Sequence, residues 1–205
     1  EDKKKILTQF SKVVTNNSSS FITFNYYLIL DASLFFATGA LKTIPDENVK
    51  YWNPDGGYGF FCRPADSLIR DADIVMDRTE SLLLKLHGSL NWRIKKGYKP
   101  PYSIDSIVHD EKWYGAEEIE IEVKEAHLEE IPFVVAPILN KIELNEQPSL
   151  KMIWSKAFKK LSESKKVIFI GYSLPKTDIA AKLLFKEALF GKDPNNIVII
   201  TTDHN

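Results

Sequence analysis

VIFIGYSLPKTDIAAKLLFKEALFGKDPNNIVIIT, residues 167–201, carries the pattern that decides the fold. Val167, Ile168, Phe169 and Ile170 are a short apolar run of strand-favouring types that breaks at the turn Gly171-Tyr172-Ser173-Leu174-Pro175. Thr177-Asp178 supplies a helix cap, apolar positions then recur as far as Phe190, and Gly191 lies just past their end. Residues 197–201 read as a second strand. Strand, helix and strand in so short a stretch make a βαβ unit, whose crossover is expected to be right-handed. The expected class is therefore α/β, as a Rossmann-like three-layer domain with a mostly parallel sheet.

Upstream of this unit, Leu150, Ile153, Trp154, Ala157, Phe158 and Leu161 keep helical spacing after Pro148, with lysines on the opposite face. Residues 132–137 (PFVVAP) read as a core strand ending in a proline turn. Residues 82–86 read as a buried strand that leads straight into His87-Gly88-Ser89, and residues 21–24 as another that leads into Asn25. Residues 27–38 predict a helix stopping at Gly39, and Ile6, Leu7, Phe10, Val13 and Val14 share one helix face. The segment 45–66 is rich in proline, glycine and turn formers and reads as a long surface excursion. Between 91 and 130 the turn Lys95-Lys96-Gly97 and the alternation of Ile119, Ile121 and Val123 with glutamates predict a small inserted β-rich subdomain.

Composition removes several function classes. The 205 residues suit one domain with room for an appended subdomain. Twenty-seven basic against 28 acidic residues leave a net charge of −1, which offers no general electrostatic grip on nucleic acid. The one cysteine, Cys62, forms no internal disulfide and no four-cysteine zinc site, and reads as a packed thiol. His109, His127 and His204 are scattered without ligand spacing, so no metal is expected. No apolar run approaches the ~20 residues of a membrane span. Residues 1–5 lead into an amphipathic segment rather than an apolar one, unlike a secretory leader, so a cytoplasmic setting is expected.

In an open parallel sheet, ligands sit in the crevice beyond the carboxyl ends of the strands. Polar residues fall at these ends: Thr23 and Asn25 after the first strand, His87 and Ser89 after the second, Gly171 and Ser173 after the third. Each has a plainer explanation. Asn25 suits a cap for the following helix, His87 a structural hydrogen-bonding group, and Gly171 relief of crowding at a strand-to-helix turn. Ser89 lies near His87, but no acidic partner at a diagnostic position supports a serine hydrolase. The tryptophans read as packing anchors, and the lysines 151, 156, 159 and 160 as a solvated helix face.

The strings Phe21-Ile22-Thr23-Phe24-Asn25-Tyr26, Leu84-Lys85-Leu86-His87-Gly88-Ser89-Leu90-Asn91-Trp92 and Val167-Ile168-Phe169-Ile170-Gly171-Tyr172-Ser173-Leu174-Pro175 together resemble the bacterial sirtuin-like domain. That domain occurs in prophage-linked and anti-phage defence proteins, many of which hydrolyse NAD+. Order and spacing match across nearly the whole chain, and the Lys-Leu-His-Gly-Ser-Leu-Asn-Trp string is the most specific piece. The resemblance implies one sirtuin-like NAD-binding domain over residues 1–205, a fragment that lacks the family's first βα unit with its glycine-rich loop.

What the resemblance implies for the site follows residue by residue. His87 would act as general base toward a ribose hydroxyl or organise the water that replaces it, and Asn25 would hold the nicotinamide ribose and position attacking water. Thr23, Phe24, Gly171, Tyr172 and Ser173 would contact the dinucleotide. Zinc is not expected, since the four cysteines that deacylases of this type carry are not in the sequence, and Tyr27 stands where those enzymes place an aspartate. The leading expectation is a NAD+ glycohydrolase domain that yields nicotinamide and ADP-ribose in anti-phage defence. Its partners would be NAD+ or a related nucleotide, further copies of the chain, or a defence-system protein. The alternatives are a non-catalytic, degenerate sirtuin-like module that senses a nucleotide or binds a partner and, third, a NAD-dependent deacylase. Without the first loop, the chain alone is expected to bind NAD+ weakly.

Overall fold

A computed structural model describes residues 6, 9–10, 19–38, 52–64, 81–97, 107–109, 130–135, 147–175 and 177–201. Among them, mixed α/β structure is built from small sheets. Strand β1 (Phe21–Thr23) is followed by helix α1 (Ile29–Thr38), then β2 (Arg63–Pro64), β3 (Leu83–Lys85) and β4 (Gly88–Lys95). Next come β5 (Val108–His109), β6 (Glu130–Val134), α2 (Pro148–Glu163), β7 (Val167–Ile170), α3 (Ile179–Ala188) and β8 (Ile197–Ile200).

The βαβ reading of 167–201 holds in its elements. β7 and β8 pair in parallel, from Val167 opposite Ile197 to Ile170 opposite Ile200, and α3 connects them. Asp178 caps α3, its Oδ1 accepting from the Ala181 backbone amide at 3.0 Å, and Gly191 takes a left-handed φ of 75° just beyond the helix end. In α2, Leu150, Ile153, Ala157 and Leu161 are buried at i, i+3, i+4 spacing, while Trp154 is half-buried and Phe158 is 43% exposed, so the core stripe is narrower than the sequence suggests.

β1 and β3 form a second parallel pair, with Phe21 opposite Leu83 and Thr23 opposite Lys85. The remaining strands make a four-stranded mixed sheet in the order β2-β5-β4-β6. β6 thus runs antiparallel to β4 instead of joining a parallel core sheet, and only Phe133 in it is buried. The alternating strand expected around Ile119, Ile121 and Val123 lies outside the described residues, as does most of the expected N-terminal helix. Among the described residues no helix is long and apolar enough to cross a membrane.

One expectation is corrected. Residues 52–62 are not a surface excursion: Trp52, Tyr58 and Cys62 are fully buried and Phe60 nearly so. The turns bury themselves because they satisfy their own polar groups. Gly57 N donates to Asn53 O at 2.7 Å, Gly56 N to Asn53 Oδ1 at 2.9 Å and Cys62 N to Asp55 O at 2.6 Å. The rings then pack edge-on: Tyr58 lies 5.0 Å from Trp92 and 5.4 Å from Trp52, and Phe60 lies 5.2 Å from Trp92. Cys62 is the packed thiol expected, and burial raises its pKa well above the ordinary value, with Asp55 adding to the effect.

Gly88, where the chain leaves His87, has a φ of 81°, and a Cβ there would stand 2.1 Å from the Phe133 carbonyl oxygen. Gly88→Ala is expected to destabilise the fold by at least ~2 kcal/mol, from left-handed strain plus displacement of β6. A fall in the urea midpoint with an unchanged m-value checks this, and an unchanged midpoint would show that β6 moves aside freely.

Candidate functional site

The parallel pairing of β1 with β3 brings two of the motif ends side by side. Leu86 N donates to Thr23 O at 3.0 Å, so the residues leaving both strands emerge together. Phe24 is the point where the third joins: its ring lies 5.6 Å from His87 and stacks on Tyr172 at 4.5 Å with only 13° between planes. The carboxyl ends of β1, β3 and β7 therefore meet around one aromatic ring. Phe185 of α3 and Trp154 of α2 close the cluster edge-on at 5.9 and 6.2 Å from Phe24. Trp154 also donates its indole N–H to Leu86 O at 2.9 Å, which fixes the backbone one residue before His87.

A cavity of about 1090 Å³ opens beside this junction, between β1 and β7. Thr23, Phe24, Asn25, Gly171 and Tyr172 are among the residues that line it, together with Tyr26, Tyr27 and Ile170. His87 does not line it. The imidazole is only 5% exposed and sits behind Phe24, and Ser173 is solvent-exposed outside the lining.

Gly171 takes a φ of 62°, and a Cβ added there would meet nothing within 4 Å. Crowding does not explain this glycine; the left-handed turn does, and it leaves backbone facing open space that a ligand can approach. Leu174, three residues on, also has positive φ, at 49°, an uncommon conformation for a branched residue and one found at binding loops.

Asn25 is exposed, and its Oδ1 accepts from Tyr27 N at 2.9 Å while its own backbone N–H donates to Thr23 Oγ1 at 3.0 Å. It thus caps a local turn rather than the first turn of α1, which begins at Ile29. Among the described residues the side-chain amide nitrogen has no hydrogen-bond partner, and it is the half of the group open to a ligand.

The residue that sequence reasoning missed is Asp178. It was legible only as a helix cap, yet its Oδ2 lies 3.7 Å from His87 Nε2 and accepts from the Tyr172 hydroxyl at 3.1 Å. At 3.7 Å the imidazole and carboxylate attract each other without a hydrogen bond. His87 Nε2 is buried and lacks a hydrogen-bond partner among the described residues. The sequence carries no signal for this contact beyond a polar residue after β3 and a polar N-cap on α3.

Burial holds the His87 pKa below its ordinary 6.5, against the opposing pull of Asp178. The imidazole is therefore neutral at neutral pH and able to accept a proton. The unfolded chain protonates this residue as pH falls below 6.5 while the folded chain resists, so the associated stability is present above 6.5 and is lost on acidification toward the lower folded value. Urea midpoints compared between about pH 7.5 and 5.5 are expected to fall less in His87→Gln than in the unaltered chain. Identical falls would place the imidazole in contact with water.

Among the described residues no group of histidine, cysteine, aspartate and glutamate is arranged to hold a metal ion. No family model matches the chain, and no curated protein matches it either.

Proposed function

We propose that this chain is a sirtuin-like, Rossmann-like three-layer domain that binds NAD+, and that the full-length protein hydrolyses it to nicotinamide and ADP-ribose. The observation that carries the reading is the convergence of Phe24, His87 and Tyr172 from three strand ends beside a cavity lined by Thr23, Asn25 and Gly171. Ligands of open α/β sheets occupy that edge. In the proposed reaction water attacks C1′ of the nicotinamide ribose and the C1′–N bond breaks. Nicotinamide leaves neutral, and the proton released from water passes to a base.

His87, neutral and buried, suits the role of that base, or of the group that orients the water. The amide of Asn25 suits the ribose hydroxyls, and the exposed backbone at Gly171 with the hydroxyl of Ser173 suits the phosphates. Anti-phage defence, a cytoplasmic setting and assembly with further copies or a defence partner belong to the same proposal and rest on the family resemblance.

A second reading has its own support. His87 lies behind Phe24, and Asn25 Oδ1 is taken up by the chain itself, as suits a degenerate module that holds a nucleotide without cleaving it. Calorimetry with NAD+ tests whether the site takes the dinucleotide at all. A saturating heat that Gly171→Val removes supports the reading, and a full-length protein that gives no NAD+ heat overturns it. Product analysis by chromatography then divides cleavage from binding alone.

A further inference from the structure

We infer that Asp178 is a positioning residue that orients the His87 imidazole, holding Nε2 as the protonated nitrogen and leaving Nδ1 as the basic one. The two oxygens of Asp178 have separate tasks. Oδ1 is tied to the amino end of α3 through Ala181 N at 3.0 Å, and this fixes the carboxylate in space. Oδ2 faces two groups, the Tyr172 hydroxyl at 3.1 Å and His87 Nε2 at 3.7 Å. The aspartate is itself buried, so its negative charge acts on the imidazole with little water between them.

Such a carboxylate favours an N–H on the imidazole nitrogen that faces it, because a lone pair there would be repelled. The surroundings reinforce the choice. Phe24 and Trp154 cover His87 at ring distances of 5.6 and 6.2 Å and offer no competing acceptor, and Asp178 is the charge that acts on the ring.

Tyr172 makes the arrangement adjustable. Its hydroxyl stays protonated, since burial and the neighbouring Asp178 raise its pKa far above the ordinary value, and it donates to the same Oδ2. Its ring stacks on Phe24 in the wall of the cavity. A ligand that displaces this ring frees Oδ2 to close on His87 Nε2, strengthening the base as the site fills. The use of that base in NAD+ cleavage rests on the function proposed above, but the orientation of the imidazole does not.

The test is nitrogen-15 NMR of the imidazole in the ligand-free chain, in the unaltered protein, Asp178→Asn and Tyr172→Phe. Asparagine keeps an oxygen for the Ala181 cap and removes the charge, so α3 retains its start. The expected results are an Nε2–H tautomer at neutral pH in the unaltered chain, a further fall of the His87 pKa in Asp178→Asn, and a rise in Tyr172→Phe, where Oδ2 has lost its competitor. A merely structural role for Asp178 would move melting temperature and leave the His87 titration in place. An Nδ1–H tautomer in the unaltered chain, or a His87 titration unmoved in both variants, overturns the inference. Failure of NAD+ turnover alone would count against the proposed reaction and leave these NMR results standing.

Discussion

On the hydrolysis proposed above, alanine in place of His87 is expected to lower NAD+ turnover ~10²–10⁴-fold, the usual loss when a positioned proton acceptor is removed. The expectation follows from the environment of the ring. Burial lowers its pKa, so the proton-accepting form is favoured at neutral pH. The same burial means that the substitution also empties a space between Phe24, Trp154 and Asp178. A stability loss of roughly 1–3 kcal/mol should accompany it, which a protein of this size shows as a fall of a few degrees in melting temperature. Activity assays therefore belong well below the melting point of the variant, with His87→Gln as a companion that preserves volume. If both variants cleave NAD+ at the full rate, His87 is a packing residue and the base lies elsewhere; if the unaltered protein cleaves none, the degenerate-module reading replaces the hydrolase.

The parts of this site that were legible in the sequence are those set by local chemistry. Residues 167–170 must be a strand because four strand-favouring side chains precede a glycine turn, and Asp178 must cap a helix because an apolar periodic run follows it. Both hold. The misreadings share a cause, which is that local polarity says little about what the rest of the chain brings near. The segment 45–66, rich in proline and glycine, looked solvated, but in 52–62 internal hydrogen bonds let Tyr58 and Phe60 turn inward onto Trp92, with Trp52 edge-on to Tyr58. The contact of Asp178 with His87 spans 91 positions and depends on how α3 meets the end of β3, which no spacing rule encodes. Gly171 was legible as a turn, and only its φ and the open space beside it separate a crowding glycine from one that exposes backbone.

Lys85 offers the second large effect, and it supports the site from behind. Its ammonium is completely buried, 2.9 and 3.1 Å from the two oxygens of Asp31 in α1, and it also donates to Tyr27 O at 2.9 Å. Asp31 Oδ1 accepts from the Tyr58 hydroxyl at 2.6 Å, Tyr58 accepts from Asn91 Nδ2 at 2.9 Å, and Ser89 Oγ donates to Asn91 Oδ1 at 2.6 Å. Burial lowers the Lys85 pKa, and Asp31 opposes that shift through its charge and its hydrogen bond. The chain of bonds ties β3, α1, β4 and the 52–62 turns to the carbonyl of Tyr27, two residues past Asn25. Asp31→Leu takes the carboxylate from a buried ammonium, which keeps only neutral carbonyl oxygens such as Tyr27 O, and removes the oxygen that accepts from the Tyr58 hydroxyl; a broken buried pair costs ~3–5 kcal/mol. Melting temperature is accordingly expected to fall by roughly 6–20 °C, as is also the case for Lys85→Met, which strands the carboxylate instead. The double variant Asp31→Leu with Lys85→Met is expected to recover a large part of the loss, because two apolar chains of similar volume leave no unpaired charge. Thermal melts of the two single variants and the double variant decide the matter. Additive losses in the double variant would mean that Lys85 and Asp31 act separately, and that the Asn25 loop is held by something other than this pair.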